Sequence, residues 1–354
     1  MTTTNGRVLV VGGHGAVGSA VTAALGRWFP DQVLTAGRSR GVRADVTDSD
    51  GFRRALDGLD GIEAVVLCVQ PPDAGPARAC LERGIHLVDV NAQPGLLADV
   101  AGLDGVAAAA GATAVLSVGV APGLTNLLAR RAHDAVGGAE RLELTVLLGA
   151  GERHGADAVR WTVEALAASP GAARTRRVTL PGHGRRTAHP FPFSDQHTLP
   201  RTLGVPEVTT RLCLDSRTAT GVLFALRPAA RHPGPRRALT AALRRIHLGG
   251  DRFAVRADAW RQDRHAGYAL TGRAQSRISG LVAAHAARSA LEGRLPAGVH
   301  HLEQLPPLAD LPERLAAEGV TLHALHALHA LDGPPGRPGA AARGRRRPRG
   351  LGAG

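Results

Sequence analysis

The 354-residue sequence contains no lysine, so all 43 of its basic residues are arginine. Schiff-base chemistry, a pyridoxal phosphate anchor, the lysine of a P-loop and a lysine general base are therefore excluded. One tyrosine, Tyr268, and an aromatic content of 3% leave alanine, valine and leucine to fill the core. The three cysteines (Cys68, Cys80 and Cys213) are far apart and form no C-x-x-C pattern, which indicates no disulfide framework. Cys68 lies in an apolar run and is predicted to be a buried thiol.

The formal net charge of +13 is concentrated in part at the C-terminus, where six arginines and no acid follow Gly333. This Pro-, Gly-, Ala- and Arg-rich segment, 333–354, is predicted to be disordered. It has no interleaved aromatic residues on which bases could stack, so we expect no nucleic-acid partner. The uncharged stretch 105–129 is too rich in glycine and polar residues to predict a membrane span. Since no signal peptide precedes the first strand, we expect a soluble cytoplasmic protein.

Short apolar runs alternate with helical segments over the first 120 residues. Strands are predicted at 7–12, 32–38, 43–48, 63–70, 84–91 and 113–119. A helix is predicted from the glycine-rich segment at 12–18 to about residue 28, and others over 52–58, 74–83 and 98–110. Most of these strands are continuously apolar, which is typical of a parallel sheet covered by helices on both faces.

A glycine-rich turn connects the first strand to the first helix. It consists of Gly13, His14, Gly15, Ala16, Val17 and Gly18. This G-x-G-x-x-G pattern lets the backbone approach a pyrophosphate at the positive end of the helix. Because strand, turn and helix are all present, the pattern predicts a Rossmann dinucleotide-binding domain. Gly12, Gly15 and Gly18 also fit a G-x-x-G-x-x-G spacing, so the glycines do not distinguish Rossmann subfamilies.

The end of the second strand indicates which dinucleotide is bound. An NAD site usually has a carboxylate there, which binds the ribose 2′-hydroxyl. This chain instead has Gly37, Arg38, Ser39 and Arg40, without an acid. The Arg38 guanidinium can hold a 2′-phosphate through two hydrogen bonds, and Gly37 leaves room for it. We therefore predict NADP as the cofactor. Ser39, next to Arg38, is also a predicted cofactor contact. The other predicted contacts lie at or after later strands: Asp45, Val69, Gln70 and Asn91.

In the second half of the chain, the predicted strands and helices no longer alternate regularly. A helix is predicted over 124–136, and strands at 141–149, 175–180, 208–214 and 218–226, with a long helix over 274–291. We expect a mixed or antiparallel sheet here. The predicted organisation is a Rossmann domain over 1–123, an inserted α/β domain over 124–271, a segment over 272–332 that packs back on the Rossmann domain, and the tail.

Four segments together resemble the saccharopine dehydrogenase-like proteins, saccharopine reductase in particular. They are GGHGAVG at 12–18, AVVLCVQPP at 64–72, GIHLVDVNA at 84–92 and VGVAPGLTNLLA at 118–129. The short-chain dehydrogenases, which share the glycine turn, need a tyrosine followed four residues later by a lysine, and this chain lacks that pair. The saccharopine family often has Asp-Pro-Gly-Ile-Asp-His where this chain has Ala-Pro-Gly-Leu-Thr-Asn at 121–126, which argues against saccharopine itself as the substrate.

The resemblance implies an oxidoreductase that makes or breaks a carbon–nitrogen bond of an amino acid or amine with a nicotinamide cofactor. It also implies that the inserted domain binds this small-molecule substrate and often forms a homodimer. Two alternatives remain open: an NADPH-dependent carbonyl reductase, and a non-catalytic NADP-binding regulatory protein.

Reduction of an imine requires a proton donor near its nitrogen. The Rossmann half offers mostly backbone around the nicotinamide, so we expect the donor on loops of the inserted domain. The candidates are His154, in GERHG, and Asp195 or His197, in FPFSDQH.

A histidine repeat near the C-terminus contains His323, His326 and His329. On a helix this spacing spreads the three imidazoles across one side, where they could touch a metal. A repeat whose intervening leucines pack in the fold is the better explanation of this pattern, and we predict no metal site.

Overall fold

The computed structural model describes residues 6–38, 40–152, 155–168, 174–245 and 249–325. Four predicted features lie outside these residues: Ser39, His154, the histidine repeat beyond 325 and the basic tail.

The described residues from 6 to 116 form six strands and five helices, largely in alternation. They are β1 (Arg7–Val11), α1 (Ala16–Trp28), β2 (Val33–Gly37), β3 (Val42–Arg43), α2 (Ser49–Asp57), β4 (Ile62–Leu67), α3 (Gly75–Leu81), β5 (His86–Asp89), α4 (Pro94–Ala101), α5 (Asp104–Ala109) and β6 (Thr113–Leu116). Most residues of β1, β4, β5 and β6 are buried. These strands are apolar on both faces because helices cover both sides of the sheet.

The remaining elements continue from the end of β6. They are α6 (Thr125–Val136), β7 (Arg141–Leu148), α7 (Ala156–Ala168), β8 (Arg176–Leu180), β9 (Gly184–Pro190), α8 (Asp195–Thr202), β10 (Glu207–Leu214), α9 (Arg217–Ala225), α10 (Arg227–Ala230), α11 (Pro233–Arg245), β11 (Arg252–Arg261), β12 (Arg264–Arg273), α12 (Gln275–Leu291), β13 (Gly298–His301), α13 (Leu311–Arg314) and β14 (Thr321–Ala324). No helix among the described residues is both long enough and apolar enough to cross a lipid bilayer.

The first sheet has the strand order β13-β6-β5-β4-β1-β2-β3, and all its pairs are parallel. The order reverses at β1, as in the doubly wound Rossmann fold. The predicted fold class, a parallel α/β sheet with a second mixed sheet, is confirmed. The C-terminal strand β13 extends the sheet beside β6, so C-terminal elements return to it as expected.

The second sheet has the order β14-β12-β11-β7-β10-β9-β8. β7 and β10 run parallel, and the other pairs are antiparallel. The prediction of a strand at 218–226 was wrong, since residues 217–225 form helix α9 and Leu226 ends it. The Ser216 hydroxyl accepts a hydrogen bond from the Ala219 backbone at 3.2 Å and caps that helix.

Three further boundaries differ from the prediction. The helix predicted over 98–110 is two helices, α4 and α5, and β3 has only two residues. Residues 321–324 pair with β12, so the C-terminal segment does not pack on the first sheet alone. His323 therefore lies on a strand, where its Nε2 is 3.0 Å from the Thr271 hydroxyl, and not on a metal-binding helix face.

Helices α1 and α12 pack closely on one face of the first sheet. A Cβ atom added at Gly280 of α12 would lie 2.7 Å from the Ala20 Cβ and 2.7 Å from the Val17 carbonyl oxygen. Only a glycine lets the two helices approach to this distance. This contact holds the C-terminal helix against the helix that follows the glycine turn.

We expect Gly280→Ala to lower the free energy of unfolding by roughly 1–3 kcal/mol, since the added methyl group forces the helices apart. Gly26→Ala, at an exposed position of α1, is the matched control, because a Cβ there would meet no atom within 4 Å. The control should leave stability unchanged or raise it by up to about 1 kcal/mol. Denaturant unfolding measures both. Equal effects of the two substitutions would contradict the close contact.

Candidate functional site

A cavity of about 470 Å³ opens at the carboxyl ends of β1, β4, β5 and β6. Ligands of open α/β sheets bind at this position, where the strand order reverses. From the first sheet it is lined by Gly12, His14, Gly15, Ala16, Val17, Ala36, Gly37, Arg38, Arg40, Cys68, Val69, Gln70, Val90, Asn91, Ala92 and Gln93, and by 118–122. From elsewhere it is lined by Leu148, Gly155, Ala158, Trp161, Thr162, Phe193, Gln275, Ser276 and Ser279.

The glycine turn places the first turn of α1 against this cavity. Gly12 has a φ of +79°, and a Cβ there would lie 2.6 Å from the Val69 Cγ1 atom. A Cβ at Gly18 would lie 2.2 Å from the Gly12 carbonyl oxygen. No side chain caps the helix at Gly15. The N–H groups of its first turn are thus suited to an anion in the cavity.

Four of the six predicted turn residues line the cavity: His14, Gly15, Ala16 and Val17. Gly13 and Gly18 do not. A Cβ at Gly13 would lie 2.7 Å from the Thr35 Cγ2 atom, so this glycine lets the turn pack against β2. These two glycines therefore allow the close packing of the turn without lining the cavity.

At the end of β2, Arg38 and Arg40 both line the cavity with exposed side chains. Asp45 does not line it and is half-buried. Its carboxylate accepts hydrogen bonds from the Thr47 backbone at 3.0 Å and the Thr47 hydroxyl at 2.8 Å. These bonds, with smaller contributions from Arg38 and Arg43, lower the pKa of Asp45. Arg40 lines the cavity although it was not among the predicted contacts, because the strand-end rule concerns one position only.

Val69, Gln70 and Asn91 line the cavity at the ends of β4 and β5. The Asn91 side-chain amide donates to the Val69 carbonyl oxygen at 3.2 Å and also to the Asp89 carboxylate. The Asn91 backbone N–H donates to the same carboxylate at 3.0 Å. Asn91 therefore ties the two strand ends together where they form the cavity floor.

Two titratable residues lie close to these strand ends. Asp89 is buried and does not line the cavity, whereas Cys68 lines it. Asp89 is fully buried, and burial raises the pKa of its carboxyl to about 6 despite the hydrogen bonds from Asn91. Cys68 is half-buried where full burial was predicted. Desolvation, with a further contribution from Asp89, raises the pKa of the Cys68 thiol to about 12. A raised pKa disfavours the thiolate, which is the nucleophilic form of cysteine.

The far end of the cavity is apolar and lies between the two sheets. The rings of Trp161 and Phe193 are 5.4 Å apart, and Leu148 lies in the same wall. Nearby, the Glu152 carboxylate accepts hydrogen bonds from the backbone N–H groups of Gln275 at 2.8 Å and Ser276 at 2.7 Å. Glu152 thus caps α12 and joins the loop after β7 to the helix that returns to the first sheet.

The structure places neither Asp195 nor His197 at the cavity. Asp195 begins α8 and is fully buried, with its Oδ1 atom accepting from the Thr125 hydroxyl at 3.4 Å. His197 is exposed. The loop before α8 reaches the cavity only through Phe193, because the chain turns into the helix directly after it. His154 lies outside the described residues, and its neighbour Gly155 lines the cavity.

Burial, with a further contribution from the nearby Glu303 carboxylate, raises the pKa of Asp195 to about 7. Glu303 is also buried and accepts a hydrogen bond from the Thr202 hydroxyl at 2.7 Å. One oxygen of each carboxyl group, Asp195 Oδ2 and Glu303 Oε2, has no hydrogen-bond partner in the described part of the chain. The two acids therefore form a buried pair behind the cavity wall. Nowhere in the described ranges do three His, Cys, Asp or Glu residues cluster as a metal site.

No family model and no curated protein matches this chain. Among solved structures, C. glutamicum DAP dehydrogenase in complex with DAP is similar at a TM-score of 0.48 and 16% identity, over 89% of this chain and 99% of that one. An engineered D-amino acid dehydrogenase bound to NADP⁺ has the same TM-score and 15% identity, over 89% and 99%. The Thermus thermophilus WlbA dehydrogenase with NAD and UDP-GlcNAcA has 0.35 and 15%, over 86% and 94%. At this distance none of the three defines the function of this chain.

We expect Asp195→Asn to stabilise the protein at pH 8. The pKa of Asp195 in the folded protein lies above its ordinary value of 3.8, so the folded state keeps a proton that the unfolded chain has lost, and stability falls as pH rises from about 4 to about 7. Asparagine removes that loss and can still accept from Thr125. A rise in Tm of about 3 °C or more at pH 8, and less at pH 4.5, is expected.

Thermal unfolding at several pH values measures this effect. Asp263→Asn, in the exposed turn between β11 and β12, is the control and should change the pH dependence of Tm little. A lower Tm for Asp195→Asn at pH 8 would show that the ionised carboxylate stabilises the fold.

Proposed function

We propose that this protein is an NADP-dependent oxidoreductase that acts on a carbon–nitrogen bond of an amine or amino acid. One observation carries the proposal. A single cavity joins the glycine turn and two arginines at the end of β2 to an apolar chamber between the two sheets. The first part suits a phosphorylated dinucleotide, and the second suits a small substrate beside it.

The residues present fit the cofactor. The uncapped first turn of α1 would hold the pyrophosphate, since no side chain occupies its N–H groups. Arg38 and Arg40 would hold the 2′-phosphate, and no acid stands among the described lining residues to repel it. The bound nicotinamide would supply hydride transfer. Asn91, whose orientation is fixed by hydrogen bonds to Asp89 and Val69, would line the part of the cavity that holds the nicotinamide.

The side chains of the apolar chamber would surround the substrate and orient it. Trp161 and Phe193 form a wall that excludes water and leaves a small substrate few orientations. Thr162 offers a hydroxyl in the same region. His154 is the proposed proton donor, because Gly155 next to it in sequence lines the cavity. Asp195 and His197 are not assigned this role, since neither reaches the chamber.

The choice of reaction class is supported by the likeness of four strand-end segments to saccharopine reductases. A carbonyl reductase would use the same cavity. The regulatory alternative has an observation of its own: the titratable lining residues in the described ranges, His14, Arg38, Arg40 and Cys68, all belong to the dinucleotide end. A protein that only senses NADPH would need no others.

We expect NADPH to bind more tightly than NADH. Arg38→Ala and Arg40→Ala should each weaken NADPH binding about tenfold or more and change NADH binding little, because only NADPH carries the 2′-phosphate. Arg43→Ala is the control, since Arg43 is exposed nearby but does not line the cavity. Titration of cofactor fluorescence gives the dissociation constants. A preference for NADH, or equal losses for both cofactors, would refute the assignment.

We also expect NADPH oxidation only when an amine is supplied together with an aldehyde or keto acid. A survey of such pairs tests the reaction class directly. Turnover with the carbonyl compound alone would identify a carbonyl reductase, and tight NADPH binding without turnover would identify a regulator.

With an active pair, His154→Ala should lower kcat by about 10²–10⁴-fold, the usual loss for a general acid, with NADPH binding intact. His197→Ala, at an exposed position away from the cavity, should keep its rate within about tenfold of the unmodified enzyme. Rates of His154→Ala that match those of His197→Ala would rule out His154 as the donor.

A further inference from the structure

A second cavity lies in the other sheet, where strands β9 and β10 separate. The two strands pair only at Pro190 with Arg211 and at His189 with Leu212. The earlier part of β9 pairs with β8 instead. Between the separated strands and helix α9 lies a cavity of about 490 Å³. It shares no lining residue with the cofactor cavity.

Four arginines line this second cavity: Arg177 from β8, Arg185 and Arg186 from β9, and Arg217 from α9. No acid is among its lining residues. Within the described ranges none of the four forms an ion pair with a carboxylate, whereas many arginines elsewhere in the chain do so. Among the described residues, the one side-chain hydrogen bond that these four arginines make runs from the Arg217 guanidinium to the Arg185 carbonyl oxygen at 3.3 Å.

Arg186 is the most enclosed of these groups. Its Nε atom is buried and has no hydrogen-bond partner among the described residues. A buried donor without an acceptor costs about 1–3 kcal/mol, and like charges around one cavity add repulsion. An anion with several oxygen atoms would accept a hydrogen bond from the unpaired donor and would reduce the repulsion between the arginines. Guanidinium groups bind phosphate in this way, through paired hydrogen bonds.

We propose that this arginine-lined cavity binds a small anion that carries two or more phosphate groups. The number of guanidinium groups favours such a ligand, since four cations around one cavity exceed what one monovalent carboxylate neutralises. The neighbouring polar side chains, Thr220 and His189, already have partners other than the four arginines. The Thr220 hydroxyl already bonds to backbone groups of Leu214 and Ser216, and His189 is stacked on Phe224 with ring centroids 4.1 Å apart.

Inorganic pyrophosphate is the probe, measured by calorimetry and by Tm at constant ionic strength with NADPH present to fill the first cavity. The unmodified protein should bind it, and Arg186→Gln and Arg177→Gln should each weaken binding at least about tenfold. Arg237→Gln, at an exposed position on α11 outside the cavity, should bind pyrophosphate as the unmodified protein does.

A second readout separates a ligand site from a structural cluster. In buffer without multivalent anions, Arg186→Gln should have an equal or higher Tm, because it removes an uncompensated charge. A lower Tm there would indicate that Arg186 stabilises the fold and would overturn the proposal. So would equal weakening by Arg237→Gln, which would indicate general attraction to a basic protein, or equal binding of citrate, which would exclude selectivity for phosphate.

Discussion

The close contact within the glycine turn is the constraint on which the cavity at the carboxyl edge of the first sheet depends. Gly12 adopts a left-handed φ of +79°, and Gly18 approaches its carbonyl oxygen so closely that no Cβ fits between them. This contact ends β1 abruptly and starts α1 in the space directly above the sheet. The uncapped first turn of the helix then faces the ends of β4 and β5, and Asn91 holds those two ends together. A larger side chain at either glycine would move the helix away from the sheet edge.

Helix α12 also holds the walls of the cavity in place, because it contacts both halves of the molecule. Gly280 lets it pack directly on α1, and the Ser279 hydroxyl accepts a hydrogen bond from the Val120 backbone at 3.2 Å, beside the cavity. At its start, Glu152 from the loop after β7 caps its backbone N–H groups. The apolar chamber is therefore formed by segments far apart in sequence. The chemistry expected there depends on enclosure and orientation more than on a dense set of titratable groups.

Local sequence patterns were sufficient for most of the first sheet. Continuous apolar strands and the glycine turn predicted a parallel Rossmann sheet, and the C-terminal return of β13 was also anticipated. The prediction failed where local preference and packing disagree. Residues 218–226 include threonine, valine and phenylalanine, which favour a strand. The Ser216 cap and the packing of one face of α9 against the second sheet make them helical.

For the site, the sequence by itself determined the residues whose role follows from the backbone. Gly15 of the turn, Arg38 at a strand end, and Val69, Gln70 and Asn91 at the ends of later strands all line the cavity where the parallel sheet brings its carboxyl ends together. Only the tertiary structure decided which polar loop residues reach the cavity. Asp195 and Phe193 are two residues apart, yet one is buried behind the wall and the other lines it. The physical reason is that α8 begins at Asp195, and the direction of a side chain in a helix's first turn is set by the elements packed around it.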